Sequence, residues 1–303
     1  MIPRSRGVSL VELMIAMVLG LLLLTVLLRI FADSREVTTL QQALMLSEGE
    51  GAVALDLIAR DLRSAGDWGC RPRRVQTDGL PGNSAWHNYV RMVEAWPAHE
   101  APDELLPATL SLLPDSDVLA IRLSGNEQWP ALGINGDTLA LPLTQRESAS
   151  CPNGDRLNGL CPGDPVLVSH CGGGLISRIT VATEAASTSG ELLLTVDPAP
   201  PDHYRHTTVR PVHTRVWFIA RRRDGSAGLF MREDGGRTRE VAAGEHRLTA
   251  RFASPDSDFV PPEAISDWPG VTAAKLRLQW HSDGGPEAGR TLTTTTAIRN
   301  RLP

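Results

Sequence analysis

The 303-residue sequence has none of the short motifs that mark the common enzyme classes. It contains no G-x-S-x-G elbow, no H-E-x-x-H zinc motif, no Walker loop and no dinucleotide-binding fingerprint. A hydrolase or metal site would have to be assembled from Ser169 with His170, and from His203, His206 and His213. Isolated histidines near strand ends are usually ordinary surface or core residues, so we expect a protein that is not an enzyme and that holds no cofactor.

Positive charge is also scarce. The formal net charge of -5 argues against a nucleic-acid-binding protein. Arg71, Arg73, Arg74 and the run Arg221–Arg223 are local basic clusters, and we interpret them as solvated loop and strand-edge charge. Contact of these clusters with DNA or acidic glycans is the alternative interpretation.

Calcium-binding loops are absent as well. The acidic pairs Asp115 with Asp117 and Asp256 with Asp258 have the right ligand type, but no EF-hand loop surrounds them. Aspartate beside proline or serine is a standard turn element, which explains these pairs without a metal.

The amino terminus, in contrast, carries a specific pattern. Residues Arg4–Phe31 read RSRGVSLVELMIAMVLGLLLLTVLLRIF, a basic leader and a long apolar run with one carboxylate, Glu12, inside it. A secretory signal peptide would have an A-x-A-like cleavage site after the run, and none follows here. A charge inside a bilayer costs about 2.5 to 3.5 kcal/mol, so such a residue usually has a function and a partner.

The apolar run is long enough to cross a membrane. Between Leu13 and Phe31 it is broken only by Thr25 and Arg29, and about 20 apolar residues span the hydrocarbon core. The basic leader marks the cytoplasmic side. The sequence therefore predicts a single inner-membrane span at residues 8–32, with the remainder of the chain in the periplasm.

The leader resembles the type IV prepilin signature, in which a dedicated peptidase cuts after a glycine and methylates the new amino terminus. The resemblance makes Gly7 the last leader residue, Val8 the cleaved and N-methylated residue, and Glu12 the fifth mature residue. In the family this glutamate meets the positively charged amino terminus of a neighbouring subunit during assembly. Most pilins begin with phenylalanine where this chain has Val8. An ordinary signal anchor that happens to carry a glutamate is the alternative.

Helical periodicity continues beyond the apolar run. Apolar residues recur at intervals of three, four or seven, and the opposite side is polar; the apolar stripe is Val37, Leu40, Leu44, Gly51, Leu55, Ile58 and Leu62. Gly66 is a stop signal. The pattern predicts one helix of about 58 residues, from Val8 to Ala65, roughly 87 Å long.

Short extended runs separated by turn residues follow Trp68. Ten of them predict strands: Asp117–Leu123, Thr138–Leu143, Pro165–Ser169, Leu175–Val181, Glu191–Val196, Arg215–Arg222, Gly228–Arg232, His246–Phe252, Ala274–His281 and Thr291–Ile298. Several alternate apolar and polar residues, as a sheet buried on one side does. Residues 76–114 indicate an irregular insertion with a short helix.

These patterns together predict an α+β, pilin-like fold, a long N-terminal helix packed on an antiparallel β-sheet domain. The expected organisation is a leader at residues 1–7, the helix at 8–66 with its membrane span at 8–32, and an exoplasmic β-rich domain at 67–303.

All four cysteines, Cys70, Cys151, Cys161 and Cys171, fall in the part predicted to be exported. An even count in an oxidising compartment favours disulfides, with three possible pairings. Cys151 and Cys161 bracket a turn-rich segment, so we favour that pair, together with Cys70 and Cys171. Zinc is the competing interpretation because His170 adjoins Cys171, although the spacing matches no C-x-x-C site.

A closer resemblance covers nearly the whole mature chain. Four segments are similar, in order, to landmarks of the PilW-type minor pilins: RDLRSAGDWGC at Arg60–Cys70, SDVLAIRL at Ser116–Leu123, GDPVLVSHC at Gly163–Cys171 and TLTTTTAIRNR at Thr291–Arg301. The resemblance implies a minor pilin that primes or initiates a type IV pilus within a tip complex. Its implied partners are the prepilin peptidase, other minor pilins, the major pilin and a PilY-type adhesin. A J-type pseudopilin of type II secretion and a membrane-anchored exoplasmic enzyme are the alternatives.

Overall fold

The structure is a computed structural model of the chain. It describes residues 14, 17, 49–69, 75–77, 80, 84–152, 154–186, 190–201, 206–244, 246–255, 257–280 and 291–298. Apart from residues 14, 17 and 49, these belong to the compact unit Glu50–Pro303.

Residues 49–64 form a helix with one buried face. Leu55, Ile58 and Leu62, three members of the predicted stripe, are at most 5% exposed. The helix stops before Gly66, whose φ of 65° is the left-handed conformation that glycine adopts without strain. The Gly66 amide then donates to the carbonyl of Arg122, 3.0 Å away. The predicted stripe and stop signal are therefore confirmed over this stretch.

The rest of the described chain is mainly extended. The strands are β1 (Val75–Gln76), β2 (Val93–Pro97), β3 (Ser111–Leu112), β4 (Asp117–Ser124), β5 (Trp129–Pro130), β6 (Gly133–Asn135), β7 (Thr138–Pro142), β8 (Arg146–Cys151), β9 (Gly154–Leu157), β10 (Pro165–His170), β11 (Gly173–Glu184), β12 (Glu191–Asp197), β13 (Thr208–Arg221), β14 (Ala227–Glu233), β15 (Thr238–Ala243), β16 (His246–Ala253), β17 (Ala273–Trp280) and β18 (Thr291–Ala297). All ten predicted strands are present, some longer than predicted. The others, except β2, β8 and β15, are four residues or shorter.

Most strands join one large sheet around β13. The order runs β15-β14-β13-β10-β11-β12-β7-β6, and β3, β4 and β5 also pair with β13. The first half of β13 pairs with β10, through Thr208 to Pro211. Its second half pairs with β14, through Arg215 to Arg221. The 14 residues of β13 therefore connect two halves of the sheet.

Two smaller sheets complete the fold. Strands β16, β17 and β18 form an antiparallel three-stranded sheet, and β8 and β9 form a two-stranded hairpin. The largest apolar core lies where the 49–64 helix, one face of the large sheet and one face of the three-stranded sheet meet, at residues such as Ile58, Trp217, Leu229, Phe252 and Leu276.

Strand β13 is buried on both faces in its second half. Trp217 and Ile219 belong to the helix-side core. Val216, Phe218 and Ala220 belong to a second core on the other face. The expectation of a strand buried on one side is wrong here, because a further segment covers the second face.

That covering segment is part of the predicted insertion. Instead of one short helix, it contains three 3-10 turns, Ala85–His87, Ala98–Glu100 and Asp103–Leu105, along with β2 and β3. Leu105 is fully buried in the second core. Further 3-10 turns lie at Pro262–Ala264 and Trp268–Gly270.

The predicted fold class is wrong. Of the described residues, 51% are strand and 15% helical, so the structure is a predominantly antiparallel β protein rather than a long helix on a sheet. The sequence analysis missed eight strands. Five of them, β1, β3, β5, β6 and β9, have two to four residues and are too short to show alternation. The other three, β2, β8 and β15, have five or six residues. Most of the predicted helix, and all but two residues of the predicted span at 8–32, lie outside the described residues. No domain boundary of the prediction is tested.

Within the described part of the chain, we find no helix that is long and apolar enough to cross a membrane. Met14 and Met17, the two described residues of the predicted span, are 60% and 65% exposed.

Candidate functional site

The residues predicted for processing and assembly, Gly7, Val8 and Glu12, lie outside the described residues. A candidate site can therefore be described only within the β-rich unit. It contains each of the other residues singled out in the sequence except Cys70, Arg71, Arg73, Arg74, His203 and Asp256, which also lie outside the described residues.

Ser169 and His170 do not form a nucleophile and base. Both lie on β10, where successive side chains point to opposite faces. Ser169 is 3% exposed, and His170 Nδ1 accepts a hydrogen bond from the amide of Gly172 at 3.0 Å. Because the imidazole bonds to a neighbouring turn, the pair lacks the arrangement that activates a serine.

Asp61, on the 49–64 helix, is a buried carboxylate that bonds to two side chains of β13. Its Oδ1 accepts from Arg215 at 2.7 Å, and its Oδ2 accepts from the indole Nε1 of Trp217 at 3.0 Å. Burial raises the pKa of Asp61, and the Arg215 guanidinium opposes that shift. The aspartate thus fastens the helix to the central strand of the sheet.

The same network continues along the sheet to a histidine. Arg215 Nε donates to Glu233 at 2.7 Å, and Glu233 lies 3.6 Å from His213 Nδ1. His213 Nδ1 also lies 2.7 Å from Asp234. Burial alone would lower the pKa of His213, but the hydrogen bond and charge of Asp234 raise it above the reference value of 6.5.

His213, Glu233 and Asp234 place one ligand atom each within 4.8 Å of one another. Both carboxylates are already in use, since Glu233 accepts from Arg215 and Asp234 accepts from the amide of Thr214 at 2.7 Å. A cation here would have to displace the proton that Nδ1 shares with Asp234. The geometry therefore favours a structural charge network over a metal centre.

Cys151 and Cys161 form a disulfide, the pairing that the sequence analysis favoured. It links the end of β8 to the segment after β9. Cys171 is also disulfide-bonded, so it offers no thiolate to a zinc ion. Its predicted pairing with Cys70 stays a prediction, which peptide mapping without reduction would check.

The acidic pair Asp115 and Asp117 binds strand β16 of the three-stranded sheet. Asp115 forms an ion pair with Arg247 at 2.5 Å, and Asp117 accepts from the amide of Ala250 at 2.7 Å. These contacts occupy the carboxylates that the calcium alternative would need. They also explain why both aspartates lie directly before or at the start of β4.

The described basic cluster Arg221–Arg223 is tied to its own hairpin. Arg222 forms an ion pair with Glu240 and lies 5.3 Å from the Phe230 ring centroid. Arg221 donates to the carbonyl of Gly225 at 3.2 Å. The interpretation as strand-edge charge fits these contacts. Arg71, Arg73 and Arg74 lie outside the described residues.

A cavity of about 530 Å³ lies beside the covering segment, lined in part by Tyr89, Arg91 and Glu94. Glu94 is 3% exposed. It pairs with Arg91 at 2.9 Å and with the fully buried Arg122 at 2.7 Å. The carboxylate is therefore neutralised by the protein, and its role is to hold the covering segment on β4.

The sequence analysis missed a basic face on the three-stranded sheet. Arg247 and Arg251 on β16 and Lys275 and Arg277 on β17 lie on its solvent side. The signal was present, because Lys275 and Arg277 are spaced i,i+2 and Arg247 and Arg251 are spaced i,i+4. Residues an even number of positions apart on a strand share a face. The net charge of the chain gave no indication of this basic face, because the chain as a whole is acidic.

The amino terminus matches a known protein family. Residues 2–28 match the family described as the prokaryotic N-terminal methylation motif. This range contains Gly7, Val8 and Glu12, so the prepilin-type leader is confirmed as a motif. It supports a pilin-like or pseudopilin-like role and a pilus or membrane association. No curated protein matches the chain.

Proposed function

We propose that this chain is a minor pilin of the PilW type, which primes or initiates a type IV pilus as part of a complex at its tip. The observation that carries the proposal is the prepilin-type motif at residues 2–28. The four segments similar to PilW landmarks, from Arg60 to Arg301, support the finer assignment.

The described domain has the properties that an exported subunit needs. It contains the Cys151–Cys161 disulfide, and such bonds persist in oxidising compartments outside the cytoplasm. Its buried polar groups fasten elements together, as Asp61 does with Arg215. We therefore propose a structural, non-enzymatic role.

The proposal implies a definite route and set of partners. The precursor would be held in the inner membrane by the apolar run after Gly7, with its β-rich domain in the periplasm. The prepilin peptidase would cut before Val8, and other minor pilins, the major pilin and a PilY-type adhesin would then assemble with the product. Glu12 would meet the amino terminus of a neighbouring subunit, with no nucleic acid or cofactor involved.

Replacing Glu12 tests the assembly role. Glu12→Ala removes a buried charge, so membrane insertion and leader cleavage should be retained. Loss of one partner of a buried pair typically costs about 3 to 5 kcal/mol, so incorporation into pili should fall by more than about ten-fold. The measurement is the amount of this protein in sheared pili relative to the membrane pool.

Glu36→Ala, which removes a carboxylate just beyond the apolar run, is the matched control and should incorporate normally. Normal incorporation of Glu12→Ala would contradict the assembly role. A type II pseudopilin of the J type has the same leader chemistry, and it is the alternative. Deletion of the gene should abolish piliation while leaving secreted proteins unchanged; the reverse outcome would favour the pseudopilin.

A further inference from the structure

The three-stranded sheet has one buried and one exposed face. Leu248, Phe252, Leu276 and Leu278 line the buried face. The cations Arg247, Arg251, Lys275 and Arg277 alternate with these residues along β16 and β17 and lie on the other side. Strand geometry places Lys275 and Arg277 about 7 Å apart along β17 and the opposed pair Arg251 and Lys275 about 5 Å apart across the two strands.

Most of this charge is not neutralised within the described part of the chain. Arg247 pairs with Asp115. For Arg251, Lys275 and Arg277, no ion pair to another described residue is present, and all three are exposed. The charge of Arg251 also acts on Asp117, where it opposes the rise in the pKa of that carboxyl that burial causes. Three cations without an ion pair to a described residue still create a local positive potential on a chain with net charge -5.

The register makes this arrangement costly. Arg251 lies directly opposite Lys275 on the neighbouring strand, and like charges in that position destabilise a sheet. An exposed sheet face selected only for stability would place carboxylates opposite these cations. The like-charged pair therefore points to a negative ligand that compensates for it.

The cations surround a shallow depression of about 480 Å³. The other described residues that line it are Thr249, Gln279, Thr291 and Thr293, which contribute hydroxyl and amide groups. Among the described lining residues, none carries a carboxylate or an aromatic ring. The depression thus offers guanidinium forks and an ammonium for anions, and neutral donors and acceptors for hydroxyl groups.

This chemistry favours one ligand class over two others. Protein interfaces are rich in arginine, as this face is, but they have an apolar or aromatic centre. The described lining residues here include three threonines and no apolar or aromatic side chain. Single-stranded nucleic acids stack their bases on aromatic side chains, and none of the described lining residues is aromatic. A chain with net charge -5 also repels a duplex, whose charge density is high.

We propose that the basic face of β16 to β18 binds an acidic polysaccharide, a chain of uronate sugars with spaced carboxylates and many hydroxyls. Arg277 and Arg251 would bind carboxylates through paired N–H groups, and the threonines and Gln279 would bind hydroxyls. This binding goes beyond the proposed role in pilus assembly and does not depend on it, since it uses residues far along the chain from Glu12.

A binding assay on the full-length mature protein in detergent tests the proposal. The probe is alginate, with neutral dextran of the same length as its reference. Lys275→Gln together with Arg277→Gln should weaken alginate binding by about ten-fold or more, since each lost contact is charge-assisted. Arg277→Lys keeps the charge and loses the fork, so it should cause a smaller loss.

The control is Arg223→Gln with Arg239→Gln, which changes the net charge equally at exposed positions elsewhere. This control should bind alginate normally. An equal loss of alginate binding in both double variants would overturn the proposal, because it would show that alginate responds to the net charge of the protein and not to this face. Tighter binding to duplex DNA than to alginate, or self-association that the Lys275 and Arg277 changes abolish, would also overturn it.

Chemical footprinting locates the bound chain directly. Lys275 is the only lysine in the sequence, so an amine-specific acetylating reagent has one side-chain target. Alginate should slow acetylation of Lys275 several-fold, and dextran should leave it unchanged. Unchanged acetylation at saturating alginate would contradict binding at this face, whatever the outcome of the pilus experiment.

Discussion

Two groups of charged residues in this molecule have opposite surroundings. Around Arg215, each charge meets an opposite charge inside the protein, with Asp61 and Glu233 both 2.7 Å away. On the three-stranded sheet, Lys275 and Arg277 face solvent with no ion pair to any described residue. The comparison separates charge that holds the fold together from charge that remains for a partner.

The difference follows from burial. The Asp61 side chain is only 7% exposed, and a buried charge without a partner costs several kcal/mol, so the fold must supply one. An exposed cation is hydrated and needs no internal partner. Internal pairing is therefore evidence of structure, whereas an uncompensated cluster is a candidate surface for recognition.

The largest predicted effect is at Asp61. Asp61→Ala would leave Arg215 with one carboxylate and the Trp217 indole without its acceptor. We expect the free energy of unfolding to fall by about 3 kcal/mol. Denaturant unfolding of the full chain measures it, and a loss below about 1 kcal/mol would show that the network is not an anchor.

Asp56→Ala is the matched control on the same helix. Asp56 pairs with Arg60 at 3.3 Å, but both side chains are more than half exposed, at 59% and 66%. We expect a change of less than about 0.5 kcal/mol for this i,i+4 surface pair.

A smaller effect should appear at His213, where the network meets solvent. Asp234 raises the pKa of His213, so the folded state holds the proton more tightly than the unfolded state does. This stabilisation is present below the reference pKa of 6.5 and is lost as the pH rises through the higher folded value. The free energy of unfolding should therefore fall, by less than about 1 kcal/mol, between about pH 6 and pH 8.

Asp234→Asn tests the cause of this pH dependence. Asp234 has a φ of 49°, a conformation that asparagine also tolerates. The variant should flatten the slope between about pH 6 and pH 8, as should His213→Gln. If the free energy of unfolding still falls between about pH 6 and pH 8 in both variants, other titratable groups cause the pH dependence.

The smallest effect on stability is expected at the basic face. Lys275→Gln with Arg277→Gln should change the free energy of unfolding by less than about 0.5 kcal/mol, because exposed substitutions rarely do more. A slight gain is the expected sign, since the like-charged pair with Arg251 is removed. A loss of free energy of unfolding close to that of Asp61→Ala would show that the basic face also stabilises the fold.

The sequence predicted the parts of the fold that rest on local patterns. Strand β4 shows apolar continuity, β17 shows alternation, and Gly66 marks the helix end, so each was found from a few residues. The short strands β5 and β6 have no such signal, because they exist only through pairing with β13 and β7. The burial of both faces of β13 depends on the covering segment, which local patterns did not reveal.

The candidate sites also differ in how far local sequence patterns predict them. The leader is a contiguous motif, so sequence alone identified Gly7, Val8 and Glu12. The bond between Asp61 and Arg215 joins residues 154 positions apart, and no periodicity predicts it. The basic face lies between these cases. The even spacing of its cations along β16 and β17 can be read from the sequence, whereas the pairing of Arg251 with Lys275 depends on the sheet register.

If the chain is made as a prepilin, the mass of its amino-terminal peptide will show both the cleavage and the methylation. Protein isolated from the native cell should begin at Val8 and carry one methyl group on its amino nitrogen, with residues 1–7 removed. Gly7→Trp should leave the uncut precursor in the membrane fraction. A native amino terminus at any position beyond Phe31, or an intact Met1 in assembled material, would contradict the account.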